Sequence, residues 1–124
     1  MYGVPFQWKR LSGTDNSIDN VNTILYILLV VFEWDSKKNI LNVDRHGIPF
    51  EKVQEIFEDP LHLSVLDERF TYFEERWITM GQTKNGEILV VAHLYVVDQE
   101  DEKIRIISAR KATRTERKQY ETIE

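Results

Sequence analysis

The sequence contains no cysteine. A chain without thiols has no disulfide framework, no thiolate metal site and no cysteine nucleophile. It also lacks an apolar stretch of transmembrane length, because the run at residues 24–32 has only nine apolar residues, about half of what a spanning helix needs. Glu33, Trp34 and Asp35 follow this run, so there is no small-residue signal-peptide cleavage site. We therefore expect a cytoplasmic protein with no membrane segment.

Motifs for metals and cofactors are missing as well. No cluster of His, Asp or Glu residues has the spacing of metal ligands, and no glycine-rich loop resembles a phosphate cradle. The length of 124 residues suits one domain with a modest core. The sequence therefore predicts a small protein that works without a metal and without a cofactor.

Charge is unevenly distributed along the chain. The net charge of −5 argues against a generally basic nucleic-acid coat. Residues 105–118 nevertheless contain six basic side chains and a single acid, Glu116, whereas acidic residues are concentrated upstream. Such a chain can hold phosphate on one side and a basic partner on the other. The alternative is that the charged runs are solvated faces and loops.

Local signals predict two helices in the first half of the chain. Asp35 is a suitable N-cap for a helix over residues 36–46, and Gly47 is suited to the left-handed position after it. Pro49 begins a second helix, which Asp59-Pro60 ends because the residue before proline resists the helical conformation. Its apolar stripe consists of Phe50, Val53, Ile56 and Phe57.

The second half has the pattern of a β-meander followed by a helix. Short strands are expected at residues 61–66, 77–82 and 104–109, and a long one at 87–97. Asn85-Gly86 predicts a hairpin turn, and residues 98–103 are interpreted as a charged turn. Thr113 and Glu116 form the pattern of a capping box at the start of a C-terminal helix. The fold class is therefore α+β, with two N-terminal helices, an antiparallel meander and a C-terminal helix.

Motifs with a specific order and spacing cover roughly residues 31–121, about three quarters of the chain. They are Phe32-Glu33-Trp34-Asp35, Lys38, Asn42, His46-Gly47, Phe57, Asp59-Pro60, Glu74-Glu75-Arg76-Trp77, Gly81, the block 104–112, and Arg114, Glu116, Arg117 and Tyr120. Together they resemble the BrnT family of ribonuclease toxins from bacterial type II toxin–antitoxin systems. Two departures are the segment 1–30, which has no counterpart in the family pattern, and Pro49, where a small capping residue is usual.

The resemblance implies a RelE-like fold and cleavage of RNA without a metal. It also implies a BrnA-like ribbon–helix–helix antitoxin, which we expect to bind in a 2:2 complex that contacts operator DNA only through the antitoxin. We expect residues 1–30 to be an N-terminal extension and residues 31–124 to be the toxin domain. A shortened chain that starts at Val31 is accordingly expected to fold.

Two arginines are the candidate phosphate ligands. Attack of a ribose 2′-hydroxyl on the neighbouring phosphate needs a base, an acid and cations around the phosphorane. Arginine suits the last role because its planar fork binds two oxygens and keeps its charge. Arg76 begins a predicted strand and Arg110 ends one. The alternative for each is an ion pair with a nearby acid or a solvated side chain.

A polar line on the first helix supplies candidates for proton transfer. Lys38, Asn42 and His46 are spaced by four residues and share one side of the helix. Histidine ordinarily titrates near neutrality, which makes His46 a candidate acid or base, with Lys38 assisting. The alternative is that His46 is a cation at the helix C-terminus. His93, which alternates with apolar residues, is interpreted as a hydrogen-bonded residue of the core or of the rim of the sheet.

The remaining cations of the C-terminal region are candidates for RNA binding, and the alternative is the exposed side of an amphipathic helix. Tyr120 is included because it can stack on a base, although packing of the helix on the sheet is the other interpretation. The RNA-binding set is Arg105, Lys111, Arg114, Arg117, Lys118 and Tyr120. Competing functions are an inactive module that only binds the antitoxin and tunes repression, and a structural protein for partner assembly.

Overall fold

The computed structural model describes residues 8–10, 30–70, 75–98 and 101–123. These residues form three α-helices and one six-stranded sheet, so the predicted α+β class is confirmed. None of these helices is long and apolar enough to cross a membrane. The helices are α1 (Ser36–His46), α2 (Phe50–Glu58) and α3 (Arg114–Thr122), and the strands are β1 (Lys9–Arg10), β2 (Val31–Trp34), β3 (Leu63–Asp67), β4 (Arg76–Gln82), β5 (Ile88–Asp98) and β6 (Asp101–Lys111).

Local capping chemistry sets the limits of α1. The Asp35 carboxylate accepts hydrogen bonds from the backbone N–H groups of Lys37, at 2.7 Å, and Lys38, at 3.4 Å. Gly47 has a φ of +72° and its N–H caps the Val43 carbonyl. A residue with a Cβ is strained at this φ, so glycine ends the helix cleanly. The helix predicted over residues 36–46 is confirmed.

The second helix also lies where proline and burial predict it. Pro49 occupies the N-cap position of α2, and the helix ends at Glu58, directly before Asp59. Its apolar side faces the sheet, and all four members of the predicted stripe are buried: Phe50, Val53, Ile56 and Phe57.

The sheet has the strand order β1-β3-β4-β5-β6-β2. The four strands β3 to β6 form the predicted antiparallel meander. The bounds of the first three differ from the prediction by one or two residues. Gly86 has a φ of +90°, which fits the hairpin turn predicted at Asn85-Gly86.

The last strand is longer than predicted. It begins at Asp101, so residues 101–103 belong to β6 and pair with the end of β5 instead of forming a turn. This end of the hairpin extends past the core, where charged residues are compatible with strand pairing because their side chains reach water. The turn predicted from the charge pattern is therefore wrong for residues 101–103, which are part of a strand.

The strand β2 lies outside the predicted antiparallel meander, at the edge of the sheet beside β6. This strand runs parallel to β6 and pairs Val31 with Lys103 and Trp34 with Ile106. Only the end of the apolar run at residues 24–32 lies in β2, and residues 24–29 are outside the described part of the chain. Two parallel strands are joined by a long connection and not by a tight turn, so no turn motif in the sequence predicts their pairing.

A short N-terminal piece also joins the sheet. Lys9 and Arg10 form β1, which pairs antiparallel with β3 at Ser64 and Leu63. Trp8 is buried beside them. Two residues are too few to show an alternating pattern, which is why the sequence did not predict this strand. The expected domain boundary at residue 31 stays a prediction, and a chain cut there loses these contacts.

Two apolar clusters lie on opposite faces of the sheet. One joins the sheet to α2, and the other joins it to α3. On the α2 side, the added Cβ of any larger residue at Gly81 would lie 2.7 Å from the Ile56 carbonyl oxygen. Glycine at this position therefore permits the close approach of α2 to β4. The buried members on the α3 side are Trp8, Leu63, Ile78, Met80, Val90, Ala112 and Tyr120.

Candidate functional site

Arg110 lies near the C-terminal end of β6 and is held by an acid of α3. Its Nη1 and Nη2 atoms donate to the two carboxylate oxygens of Glu116 at 2.7 and 2.9 Å. These hydrogen bonds raise the pKa of the Arg110 guanidinium above its usual value. The Arg110 side chain is 41% exposed, against 15% for Glu116. The result is an oriented cation with access to solvent.

Glu116 connects this cation to the start of α3. Its Oε1 accepts from the Thr113 N–H at 2.8 Å, and the Thr113 hydroxyl accepts from the Glu116 N–H at 3.1 Å. This is the predicted capping box, which is confirmed. Burial would raise the pKa of the Glu116 carboxyl, but the hydrogen bonds from Arg110 and Thr113 lower it overall. Glu116 is therefore a fixed anion at neutral pH.

The helix α1 is fixed beside β6 by a buried asparagine. The Asn42 side chain accepts from the Ala109 N–H at 3.0 Å and donates to the Ala109 carbonyl at 2.8 Å. It also donates to the Ile48 carbonyl at 2.9 Å. Both backbone groups of Ala109 on this edge are thereby satisfied as a neighbouring strand would satisfy them. Asn42 is a structural member of the polar line.

The other two members of that line are exposed. Lys38 and His46 each lie one helical turn from Asn42 and reach solvent. Asn42 contacts Ala109, whose neighbour in β6 is Arg110, so the line runs close to the Arg110 end of the strand. His46 is the last residue of α1, directly before the Gly47 cap.

Arg76 lies at the other end of the same sheet face. It pairs with Leu94 of β5, whereas Arg110 pairs with Val90. Four residues along β5 and two strands across correspond to about 17 Å between the two arginine Cα atoms. Asp67 is opposite Arg76 on β3. The pKa of Asp67 is lowered, chiefly by hydrogen bonds from Arg69 and in small part by Arg76.

Arg105 shares the Arg76 end of the face and is occupied by an ion pair. Its Nη2 lies 2.6 Å from a carboxylate oxygen of Glu33 on β2. The Lys103 ammonium lies 3.7 Å from the other oxygen of Glu33. These contacts tie β2 to β6. They could not be anticipated before the parallel pairing of β2 was known.

Four further candidate cations follow Arg110 in the sequence. Lys111 is exposed and lies 3.6 Å from Glu87. Arg117 donates to the Ala112 carbonyl at 3.2 Å, while Arg114 and Lys118 are exposed on α3. We refer to these five residues as the C-terminal cation cluster: Arg110, Lys111, Arg114, Arg117 and Lys118.

Tyr120 has a packing role in the structure. It is 6% exposed, its hydroxyl donates to the Asp59 carboxylate, and Arg10 lies over its ring at 5.2 Å. Burial, together with the Asp59 carboxylate, raises the pKa of the Tyr120 hydroxyl. Of the two interpretations of Tyr120, the geometry favours packing of α3 on the sheet.

Asp59 is a junction that the sequence did not reveal. Besides Tyr120, its carboxylate accepts from the N–H groups of Leu61 and Gln82 at 2.9 and 2.8 Å. Its carbonyl lies 2.8 Å from Nδ1 of His62. One carboxylate therefore connects the end of α2, the end of β4 and the last turn of α3. The Asp-Pro pair signalled only the helix end.

His93 lies in the core, one of the two positions that its strand pattern indicated. It is fully buried, its Nε2 lies 2.7 Å from the Thr79 hydroxyl, and Thr79 lies 2.8 Å from the Ser64 hydroxyl. Burial lowers the pKa of His93 to about 3. The ring is therefore neutral at physiological pH, and its full burial separates it from any bound RNA. In the described ranges, no three His, Asp or Glu residues are grouped as metal ligands.

The fold and the cluster together define a small α+β protein with a basic site where its last strand meets its last helix. A family described as "Ribonuclease toxin, BrnT, of type II toxin-antitoxin system" matches residues 34–116. The match covers more than half of the chain, and the protein belongs to the BrnT family. Residues 1–33 lie outside the matched range.

A solved structure shows the same fold. The chain is similar to the crystal structure of the Brucella abortus ribonuclease toxin BrnT, with a TM-score of 0.50 and 21% sequence identity. The match covers 68% of this chain and 99% of that one. No curated protein sequence matches the chain. The family match confirms the resemblance recognised from the sequence motifs, and the structural match confirms the fold.

Proposed function

We propose that this ribonuclease toxin cleaves RNA without a metal, at the C-terminal cation cluster, and that a DNA-binding BrnA-like antitoxin neutralises it in the cytoplasm. Family membership supports a ribonuclease and an antitoxin partner. The mechanism, the 2:2 stoichiometry and operator binding through the antitoxin are our extensions. The observation that supports the site most strongly is the Arg110 fork oriented by Glu116.

The orientation of Arg110 leaves donors for a phosphate. A guanidinium has five N–H donors. Glu116 occupies the Nη1 and Nη2 end of the group, so the Nε side is turned away from it. A side-on contact through Nε and Nη2 is a bidentate geometry for two phosphate oxygens. In this role Arg110 stabilises the charge that develops on the phosphorane, and Glu116 keeps the cation in place.

The polar line on α1 supplies the proton-transfer groups. Lys38 and His46 are exposed one turn on either side of Asn42, beside the β6 residue that precedes Arg110. We assign them the transfer of protons to and from the ribose 2′-hydroxyl and the leaving oxygen. Lys111, Arg114, Arg117 and Lys118 hold the flanking RNA phosphates. Arg76 and Arg105 are contacts for phosphates farther along the same face.

Cleavage in excess chelator tests the proposal. The purified protein is incubated with a single-stranded RNA and with DNA of the same sequence, both in EDTA. We expect the RNA to be cut with a 2′,3′-cyclic phosphate product and the DNA to be spared, because DNA lacks the attacking 2′-hydroxyl. RNA cleavage that requires added Mg²⁺ would contradict the mechanism. A folded protein that binds the antitoxin but cuts no RNA would favour the inactive binding module instead.

A further inference from the structure

The helix α1 exposes its apolar side chains. Ile40, Leu41 and Val43 are 68%, 50% and 44% exposed. All residues of α1 are described, and Asn42 alone among them is buried. A surface helix normally turns its apolar residues toward the core and its polar residues toward water. In α1 this arrangement is reversed.

Polar contacts explain how α1 stays in place without an apolar contact face. Asn42 binds both backbone groups of Ala109. Asn39, one turn away from Val43, accepts from the Phe50 N–H at 2.9 Å and so ties α1 to the start of α2. The helix is docked by two amides. Its three apolar side chains are all exposed and together form an apolar patch on the surface.

Cations border the patch. Lys37, Lys38 and Arg45 are exposed on α1, and Asp44 is the one acid within the helix. An apolar centre with a charged rim is the usual composition of a protein–protein interface. Here the rim is positive on balance, so the complementary surface carries carboxylates. The composition of α1 thus specifies the chemistry of its partner.

We propose that this outer surface of α1 (Ile40, Leu41 and Val43 with Lys37 and Arg45) binds an amphipathic segment of the antitoxin. That segment has apolar side chains in its centre and Asp or Glu at its edges. The inference rests on the proposed function, which supplies an antitoxin as the partner. A segment on this surface lies beside Lys38 and His46 and blocks the approach of RNA to them, so binding and neutralisation are one event.

Replacement of the central apolar residue is the main test. Ile40→Glu places a carboxylate inside the patch, and helix propensity tolerates the change. Val97→Glu is the matched control, because Val97 is 70% exposed on the end of β5 and lies outside α1. Each variant is titrated with the protein encoded by the reading frame adjacent to this gene, and its toxicity is measured with and without that protein.

We expect Ile40→Glu to weaken the complex about tenfold or more, to remain toxic alone and to escape neutralisation, whereas Val97→Glu behaves as wild type. Val43→Glu is a second variant of the same patch, for which we expect the same result, and it replaces Ile40→Glu if that variant does not fold. Wild-type affinity and neutralisation in both α1 variants overturn the proposal. A wild-type chain that is not toxic contradicts the proposed function, while the binding titration still decides the interface.

Two further measurements separate the other outcomes. Lys37→Glu and Arg45→Glu are expected to slow association and to reduce its dependence on salt. Unchanged association rates would overturn the proposal that the partner has acidic residues at its edges. Sedimentation of the isolated protein tests whether a second copy occupies the surface. A dimer that Ile40→Glu separates into monomers assigns the patch to self-association and overturns the proposal.

Discussion

The two ends of one sheet face carry arginines in different surroundings. At one end, Arg110 is oriented by Glu116, which is itself part of a helix cap. At the other end, Arg105 is bound to Glu33 of a neighbouring strand, and Arg76 lies opposite the buried Asp67. The first arrangement presents a cation from a fixed support. In the second, the Arg105–Glu33 ion pair ties β6 to β2, so the residue type alone does not identify the site.

Removal of Arg110 has the largest expected effect. Loss of one electrostatic donor to a transition state costs on the order of a hundred- to a thousandfold in rate. We expect that loss for Arg110→Ala, and little recovery in Arg110→Lys because an ammonium lacks the bidentate fork. RNA cleavage by purified, folded variants measures it.

The matched controls for Arg110 lie at the other end of the face. Arg105→Ala and Arg76→Ala are expected to slow cleavage less than Arg110→Ala does. A folded Arg110→Ala variant with full activity contradicts the assignment. An Arg76→Ala variant as slow as Arg110→Ala would show that both ends belong to one catalytic surface.

Asn42 should be more important for stability than the ion pair at the opposite end. Asn42→Ala removes three hydrogen bonds and leaves buried backbone groups unsatisfied. We expect it to lower the free energy of unfolding by about 2 to 3 kcal/mol. Glu33→Ala breaks a surface ion pair worth about 1 kcal/mol or less. Urea denaturation of both variants measures the difference. Equal losses would contradict the structural role given to Asn42.

The buried histidine predicts a dependence of stability on pH. The pKa of His93 is lowered from 6.5 to about 3, so between these values the unfolded chain binds more protons than the folded one. The contribution of His93 to the free energy of unfolding is therefore fully present above pH 6.5 and decreases as the pH falls toward 3. The decrease is about 2 kcal/mol between pH 7 and pH 5. Urea unfolding at both pH values should show a smaller loss for His93→Gln. An identical loss in the variant would assign the pH dependence to other groups.

Tyr120 gives the smallest expected effect and separates its two interpretations. Tyr120→Phe removes only the hydroxyl that donates to Asp59 and should cost about 1 kcal/mol of stability. RNA cleavage should not change, because the ring stays buried under Arg10. Stability is followed by urea denaturation and cleavage by initial rates. Slower cleavage at unchanged stability would restore Tyr120 to the RNA-binding set.

Local chemistry explains which parts of the fold the sequence could predict. Asp35, Gly47, Pro49 and the Thr113–Glu116 box each act within a few residues, so the helix limits were predictable from the sequence. The parallel strand β2 was not, because its partner β6 is about 70 residues away in the sequence. The identity of the buried side of α1 was missed for a similar reason, since Asn42 binds Ala109 from a distant strand.

The site was predictable residue by residue but not as an arrangement. Arg110 and Glu116 were both recognised, yet the capping pattern did not show that the same carboxylate holds the arginine. Arg76 and Arg110 were both predicted as phosphate ligands because each lies at the end of a strand. In a meander β4 and β6 run in the same direction, so the start of one and the end of the other lie at opposite ends of the sheet. Strand direction thus separates the two arginines.

The difference between the two ends of the sheet face is tested most directly by mapping the residues that contact bound RNA. A ¹⁵N-labelled protein is titrated with a 2′-O-methyl RNA, which cannot be cleaved at the blocked hydroxyl, and its NMR signals are followed. We predict that the Arg110 Nε–H and the amides of Thr113 and Arg114 shift most on binding, while the Arg105 Nε–H, which is bound to Glu33, shifts less. Shifts confined to Arg76 and Arg105, with no change at Arg110, would contradict this prediction.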